Sequence, residues 1–305
     1  MENIDIINAA QGTPEWLEVR RSGIGGSEAA AILGVSKYNT PLDIYMQKIN
    51  GSHTPDNEAM LWGRVLEPVI RDQYAERTGR KVLDTHQIVR SKKHPFMLAS
   101  LDGVTEDNRL LEIKTTRFPD NWGEEGSDEI PDNYLVQVQH YMAVTGLQVA
   151  DIAVLIGGSD FRLYEVEADK ELQQILINQE KLFWNNLKEG NAPDPFNAED
   201  VALLYKHSKE GEVEADNLLY EKIEQLKNVQ AQQKSYAAEE KEIKTAIQLH
   251  MGEYDTLTYQ GKKLCTWKSS KPSKRFDSKS FKADYPGMYA DYCIEGTASR
   301  RFLVK

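Results

Sequence analysis

Only two cysteines, Cys265 and Cys293, occur among 305 residues. That is too few for a disulfide framework, a four-cysteine zinc site or a four-cysteine iron–sulfur cluster, and both are expected to be reduced thiols. No run of about eighteen apolar residues is present. The first twenty residues, MENIDIINAAQGTPEWLEVR, lack a basic start followed by an apolar stretch. Neither a membrane span nor a secretory signal is expected, and the cytoplasm is the expected compartment. There is no convincing internal repeat. Gly157-Gly158 is followed by neither Lys-Ser/Thr nor a helix start, so it reads as a hairpin turn and not as a phosphate loop.

What the chain has is enough apolar material, 40% against 28% charged, to build a core. Its length favours one larger domain plus a smaller appendage. The net charge is −11 and unevenly placed: residues 256–305 hold eight Lys and three Arg against three Asp and one Glu, a net +7, which leaves −18 on residues 1–255. An acidic body does not exclude a phosphate-bearing partner, because carboxylates can hold divalent cations while basic groups gather elsewhere.

Residues 26–51 read as two short helices, the first begun by Gly26 or Ser27 and ended by Gly34, the second started by Pro41. From Glu58 to Thr78, Leu61, Val65, Leu66, Val69, Ile70 and Tyr74 recur at spacings of three and four, predicting a core-facing helix closed by Gly79. Three β-like runs follow at 81–90, 96–101 and 109–116 and predict a meander. Helix returns over 132–146, a strand pair flanks residues 157–160, and a helix spans about 169–189. This order predicts an α/β sandwich with a mixed sheet. Residues 199–252 predict one long helix or an antiparallel pair of two, and the tail predicts a hairpin turning at Gly261, a short helix and a last strand over 299–305.

The segment ASLDGVTEDNRLLEIKTT carries the chemistry. Asp102 ends an apolar run. Ten residues later Glu112 and Lys114 share one face of a strand, while Leu111 and Ile113 point to the other. Two such carboxylates and a backbone carbonyl suit Mg²⁺ or Mn²⁺, and the lysine is suited to orient or deprotonate a water beside the metal. A bare Glu-x-Lys is ordinarily a solvated strand face. Here the strand is apolar on its other side, and Asp102 would crowd Glu112 unless a cation joined them. Gln137 and Tyr141 lie four apart on one helical face. His86, His94 and His140 lack ligand spacing and read as structural, and Trp16 reads as a packing residue.

With these pieces in order, WLEVR and GIGGS at 16–27, GRVLEP at 63–68, SLDG at 100–103, EIK at 112–114 and QVQHY at 137–141, the sequence resembles the PD-(D/E)XK nuclease superfamily. Within it, the chain is similar to the phage-type YqaJ recombinases and lambda exonuclease, over roughly residues 14–190. The superfamily's proline before the aspartate is absent, Leu101 standing there. The resemblance implies a restriction-endonuclease-like α/β core, set at 1–198; the residue pattern itself sets a helical segment over 199–253 and a basic α+β module over 254–305. It implies that Asp102, Glu112, the Ile113 carbonyl and the helix-borne Glu67 hold two Mg²⁺ or Mn²⁺ ions and that Lys114 positions the attacking water. It further implies that Gln137 and Tyr141 contact DNA or its terminal phosphate, and that Arg20, Ser27 and Ser100 receive a 5′-phosphate. An arginine fork and a serine near a helix start suit that role, although Ser27 serves equally well as a helix cap. The implied activity is 5′→3′ digestion of linear duplex DNA, with a single-strand annealing protein as partner and a ring trimer as assembly. An endonuclease with the same site and a non-catalytic DNA-end-binding scaffold are the alternatives. Trp267, Lys268, Lys271, Lys274, Arg275, Tyr285, Tyr289, Arg300 and Arg301 mix cations with aromatics, which suits a nucleic acid or an acidic partner.

Overall fold

The computed structural model describes residues 4–9, 12–51, 57–83, 88–294 and 300–304. Two compact units result, Met1–Leu204 and Tyr205–Lys305.

In the first unit, β1 (Ile4–Ile7) precedes α1 (Pro14–Arg21), α2 (Gly26–Ile32), α3 (Pro41–Asn50) and α4 (Glu58–Thr78). Pro14 and Pro41 each open a helix behind a capping threonine, Thr13 and Thr40, since a proline at the first turn forfeits no helical hydrogen bond. Gly79 ends α4 at φ 71°. Then come β2 (Val82–Leu83), β3 (Ile88–Ser91), β4 (Leu98–Ser100), β5 (Gly103–Thr105) and β6 (Leu110–Thr116). They are followed by α5 (Asp132–Thr145), β7 (Val149–Ile156), β8 (Asp160–Glu167), α6 (Lys170–Glu189) and α7 (Ala198–Leu204).

The strands form two sheets, one ordered β1-β3-β4 and the other β2-β5-β6-β7-β8. Only β6 and β7 pair in parallel within the larger sheet, which makes it mixed as the sequence pattern predicts. The predicted meander over 81–116 is corrected. Its second run pairs with β3 in the small sheet and its third with β5 in the large one, because the chain leaves one sheet at Ser100 and enters the other at Gly103. Part of the first run, and His86 with it, lies outside the described residues.

Helix α5 packs on one face of the large sheet, where Val138, Tyr141 and Met142 meet Leu110, Ile152 and Val154. Helix α4 covers the other face through Ile70 and Tyr74 against Leu111, Ile113 and Ala153, with Leu66 beside them. The expectation of a single core-facing stripe on α4 is half wrong. Leu66, Ile70 and Tyr74 recur every four residues on the covered side, whereas Leu61, Val65 and Val69 recur every four on another face and are exposed. A third cluster joins α2, α3 and α6 through Ala29, Leu42, Ile44, Leu176 and Phe183. Helix α7 belongs to this unit, since Asp200 accepts from Thr40 Oγ1 at 2.8 Å and from the Phe196 N–H at 2.8 Å.

In the second unit, α8 (Asn217–Met251) is one 35-residue helix rather than an antiparallel pair. It leads to the hairpin β9 (Thr256–Tyr259) and β10 (Lys262–Thr266), turning at Gly261, and to α9 (Ser278–Asp284) and α10 (Pro286–Asp291). Of the last strand predicted over 299–305, the described residues 300–304 are irregular, and residues 299 and 305 lie outside the described residues.

Candidate active site

The site is built on the β5–β6 hairpin. Gly103 pairs with Leu111 and Val104 with Leu110, a register that carries Asp102 to a position opposite Glu112. Gly103 has to be glycine. A Cβ there would lie 2.7 Å from Val82 Cγ1 and 3.3 Å from Leu111 Cβ. Asp102 is fixed further by its Oδ2, which accepts the Ile113 N–H at 2.8 Å.

Glu112 is 2% exposed. Its Oε1 accepts from Gln137 Nε2 at 2.6 Å and lies 2.5 Å from Lys114 Nζ, while its Oε2 is buried with no hydrogen-bond partner. Burial, and secondarily the charge of Asp102, pushes the Glu112 carboxyl up to about 8 against the pull of Lys114. Burial weakens the Lys114 ammonium, but Glu112 and Asp102 outweigh it and hold it charged. Lys114 Nζ also donates to Gln137 Oε1 at 3.2 Å and sits 4.8 Å from the centre of the Tyr134 ring. Gln137 Nε2 reaches the Tyr141 hydroxyl at 3.2 Å, and burial keeps that phenol protonated.

A buried carboxylate oxygen without a donor, beside a second carboxylate, suits a hard divalent cation. Among the described residues no cluster of three or more His, Cys, Asp or Glu gathers as a ready-made ligand cage. Asp102 and Glu112 are the two carboxylates that this hairpin offers. Mg²⁺ fits them, because that ion keeps several of its waters.

Glu67 on α4 is paired with Arg71 at 2.5 Å, and its charge contributes to the upward push on Glu112. Arg20 lies 4.8 Å from the Trp16 ring centre and 3.8 Å from Glu28 Oε1. Ser100 is exposed at the end of β4. Ser27 is exposed in the first turn of α2, whose cap is Gly25, with Glu28 Oε2 accepting the Gly25 N–H at 2.8 Å. The cap role open to Ser27 in the sequence is thus taken by its neighbours. Gln137 and Tyr141 are 7% and 6% exposed, so they act within the carboxylate–lysine cluster and not as a rim.

Sequence reasoning missed three participants. Tyr134 lies beneath Lys114, and its spacing from Gln137 and Tyr141, three and seven residues, was the available signal. Glu28 and Lys48 form a buried pair at 2.7 Å beside Arg20. Glu28 was legible as the third residue of a capping box, but Lys48 carried no local mark. The histidines of α5 and its surroundings take no part. His140 is buried between Glu180 Oε1 at 2.7 Å and the Leu98 carbonyl at 2.8 Å.

Fold and site thus define an α/β protein with a carboxylate–lysine centre on a strand hairpin. Residues 15–148 match the YqaJ-like viral recombinase domain. The uncharacterized protein YqaJ of Bacillus subtilis (strain 168) is 32% identical over 309 residues, 98% of this chain and 96% of that relative. The chain belongs to the YqaJ-like viral recombinase family. Solved structures similar to part of it include the alkaline exonuclease LHK-Exo in complex with dAMP, 25% identical with a TM-score of 0.47 over 59% of this chain and 94% of that one. Another LHK-Exo structure, from Laribacter hongkongensis, is 25% identical with a TM-score of 0.46 over 64% and 97% of the two chains. Among the described residues no helix is long and apolar enough to cross a membrane.

Proposed function

We propose that this chain is a divalent-metal-dependent deoxyribonuclease that digests linear duplex DNA from its ends, 5′ to 3′. It would leave 3′ single-stranded tails for phage-type recombination in the cytoplasm of a bacterial host. The observation that carries the reading is the buried, partnerless Glu112 Oε2, with the charge of Asp102 near enough to raise the Glu112 carboxyl and Lys114 paired with Glu112. Asp102, Glu112 and the Ile113 carbonyl are the proposed ligands, with Glu67 from α4 as a further acid. Bound Mg²⁺ or Mn²⁺, two ions by the family resemblance, would supply the charge that activates water and steadies the phosphoryl oxygens in an in-line displacement.

The chain's own residues do the rest. Gln137 holds Glu112 Oε1 and so aims Oε2 toward the cation. Lys114, charged and fixed between Glu112, Gln137 and the Tyr134 ring, orients the water and steadies the negative charge that develops on the phosphoryl oxygens. Arg20, Ser27 and Ser100 are proposed to receive the 5′-phosphate. A single-strand annealing protein and a ring trimer are the partner and assembly that the resemblance supports.

The test compares linear duplex bearing 5′-phosphate or 5′-hydroxyl ends with closed circular DNA, in Mg²⁺ and in EDTA, for wild type and Asp102→Ala. Loss of linear DNA alone, faster from phosphorylated ends and abolished by EDTA and by the substitution, is the expected result. Cutting of the circle would make the protein an endonuclease. Binding of ends without cleavage would make it a scaffold.

A further inference from the structure

The basic C-terminal unit contains an aromatic cleft that the nuclease reading does not use. It has a volume of about 430 Å³ and is lined by Phe276, Phe281, Met288, Tyr289, Tyr292 and Cys293 of α9, α10 and their flanks. Its rings are arrayed and not collapsed into a core: Phe276 and Phe281 lie 5.0 Å apart and Phe281 and Tyr285 5.4 Å apart, while Tyr292 is 84% exposed. Lys271, Lys274, Arg275, Lys279 and Lys282 belong to the same stretch of chain as the lining residues, and all are exposed. Among the described residues none of these five cations is in an ion pair. Three acids, Asp277, Asp284 and Asp291, share the stretch; Asp277 caps α9 through the Lys279 and Ser280 N–H groups and the Ser280 hydroxyl. Lys282 Nζ sits 5.2 Å from the centre of the Tyr289 ring, leaving a cation and a π-face together at the cleft.

We propose that this cleft binds single-stranded nucleic acid, unpaired bases stacking on its aromatic side chains while the surrounding lysines and Arg275 follow the phosphates. An acidic protein would answer the charge but leave the rings without a partner. A duplex would offer phosphates but keep its bases stacked on one another. Only an unpaired strand supplies both. The proposal rests on residues of the C-terminal unit and not on the nuclease reading.

The test uses the full chain in EDTA, so that cleavage is off, with a dye-labelled oligothymidylate of about fifteen nucleotides, long enough to span one site. Oligouridylate and a duplex of equal length run beside it, the former reporting whether DNA or RNA is preferred. Tyr292→Ala is expected to weaken single-strand affinity about tenfold, as for loss of one stacked base, and Tyr292→Phe to retain it. Because Tyr292 is largely exposed, its truncation removes little packing. Replacing Lys271, Lys274 and Arg275 together by Ala is expected to lower the slope of log affinity against log salt by about 2, the single-strand value for three phosphate contacts. Bound strand is expected to slow maleimide labelling of Cys293, which is exposed. Unchanged affinity in Tyr292→Ala would overturn the proposal. So would displacement of the oligonucleotide by polyglutamate at equal charge, which would mark an acidic protein surface. Protection of Cys293 that follows protein concentration and ignores the strand would mark contact between copies instead.

Discussion

Lys114 Nζ lies against Glu112 Oε1, and Gln137 holds both side chains. Lys114→Ala is expected to lower cleavage by about 10² to 10³-fold, the usual reach of one lost charge-stabilising donor. Calorimetric Mg²⁺ binding should persist, since Asp102 and Glu112 stay. A loss of cation binding equal to the loss of rate would show that the lysine serves only to assemble the site. His140 makes a separate prediction. Burial pulls its pKa down, but Glu180 and the Leu98 carbonyl outweigh burial and raise it above the ordinary value of 6.5. A raised histidine stabilises the fold fully below its unfolded pKa, and that contribution fades as pH climbs through the folded one. Thermal midpoints should therefore decline above about pH 6.5. The double variant His140→Phe/Glu180→Leu, which removes both buried groups, should flatten that decline. Of these residues, Asp102, Glu112 and Lys114 were legible because strand alternation and a ten-residue hairpin spacing are local. Gln137 was legible as a position but not as a ligand to Glu112, since that contact crosses from helix to sheet.

The helices bring the outer candidates to the hairpin by close approach. A Cβ at Gly26 would lie 2.5 Å from Tyr141 Cε1 and 2.9 Å from Gln137 Cγ, so α2 meets α5 only because that residue has no side chain. Gly26→Ala is expected to cost about 1 to 3 kcal/mol by overpacking in urea unfolding, and to lower cleavage by shifting Gln137 away from Glu112. Normal activity in a destabilised variant would mean that the two helices separate without disturbing the strand. The caps, glycine stops and hairpins of α3, α5, β7, β8 and α6 could be read from the chain because each is written within a few residues. The partition of β4 and β5 between two sheets could not. It depends on the pairings of β4 with β3 and of β5 with β2, whose short sequences carry little pattern of their own. On α4 the sequence marked apolar residues on two faces, and only tertiary placement decided which one the sheet would cover.

The molecule divides where its packing stops. Residues 205–216 are irregular and exposed throughout, and they include Lys206 and Lys209. Brief trypsin treatment is expected to cut there first and release a fragment ending near residue 209 that still unfolds cooperatively, because its three apolar clusters all lie within 1–204. Early cleavage inside 1–204 would contradict that division. Lineages of such a chain are not equally free to change in length along it. The turn at 106–108 between β5 and β6 faces solvent and can gain or lose residues while Asp102 remains opposite Glu112. A single residue inserted between Leu110 and Glu112 would turn the strand over, put an aliphatic side chain where the carboxylate stands and bury the acid against α4. Descendants should accumulate insertions at the hairpin tip and almost none in its arms.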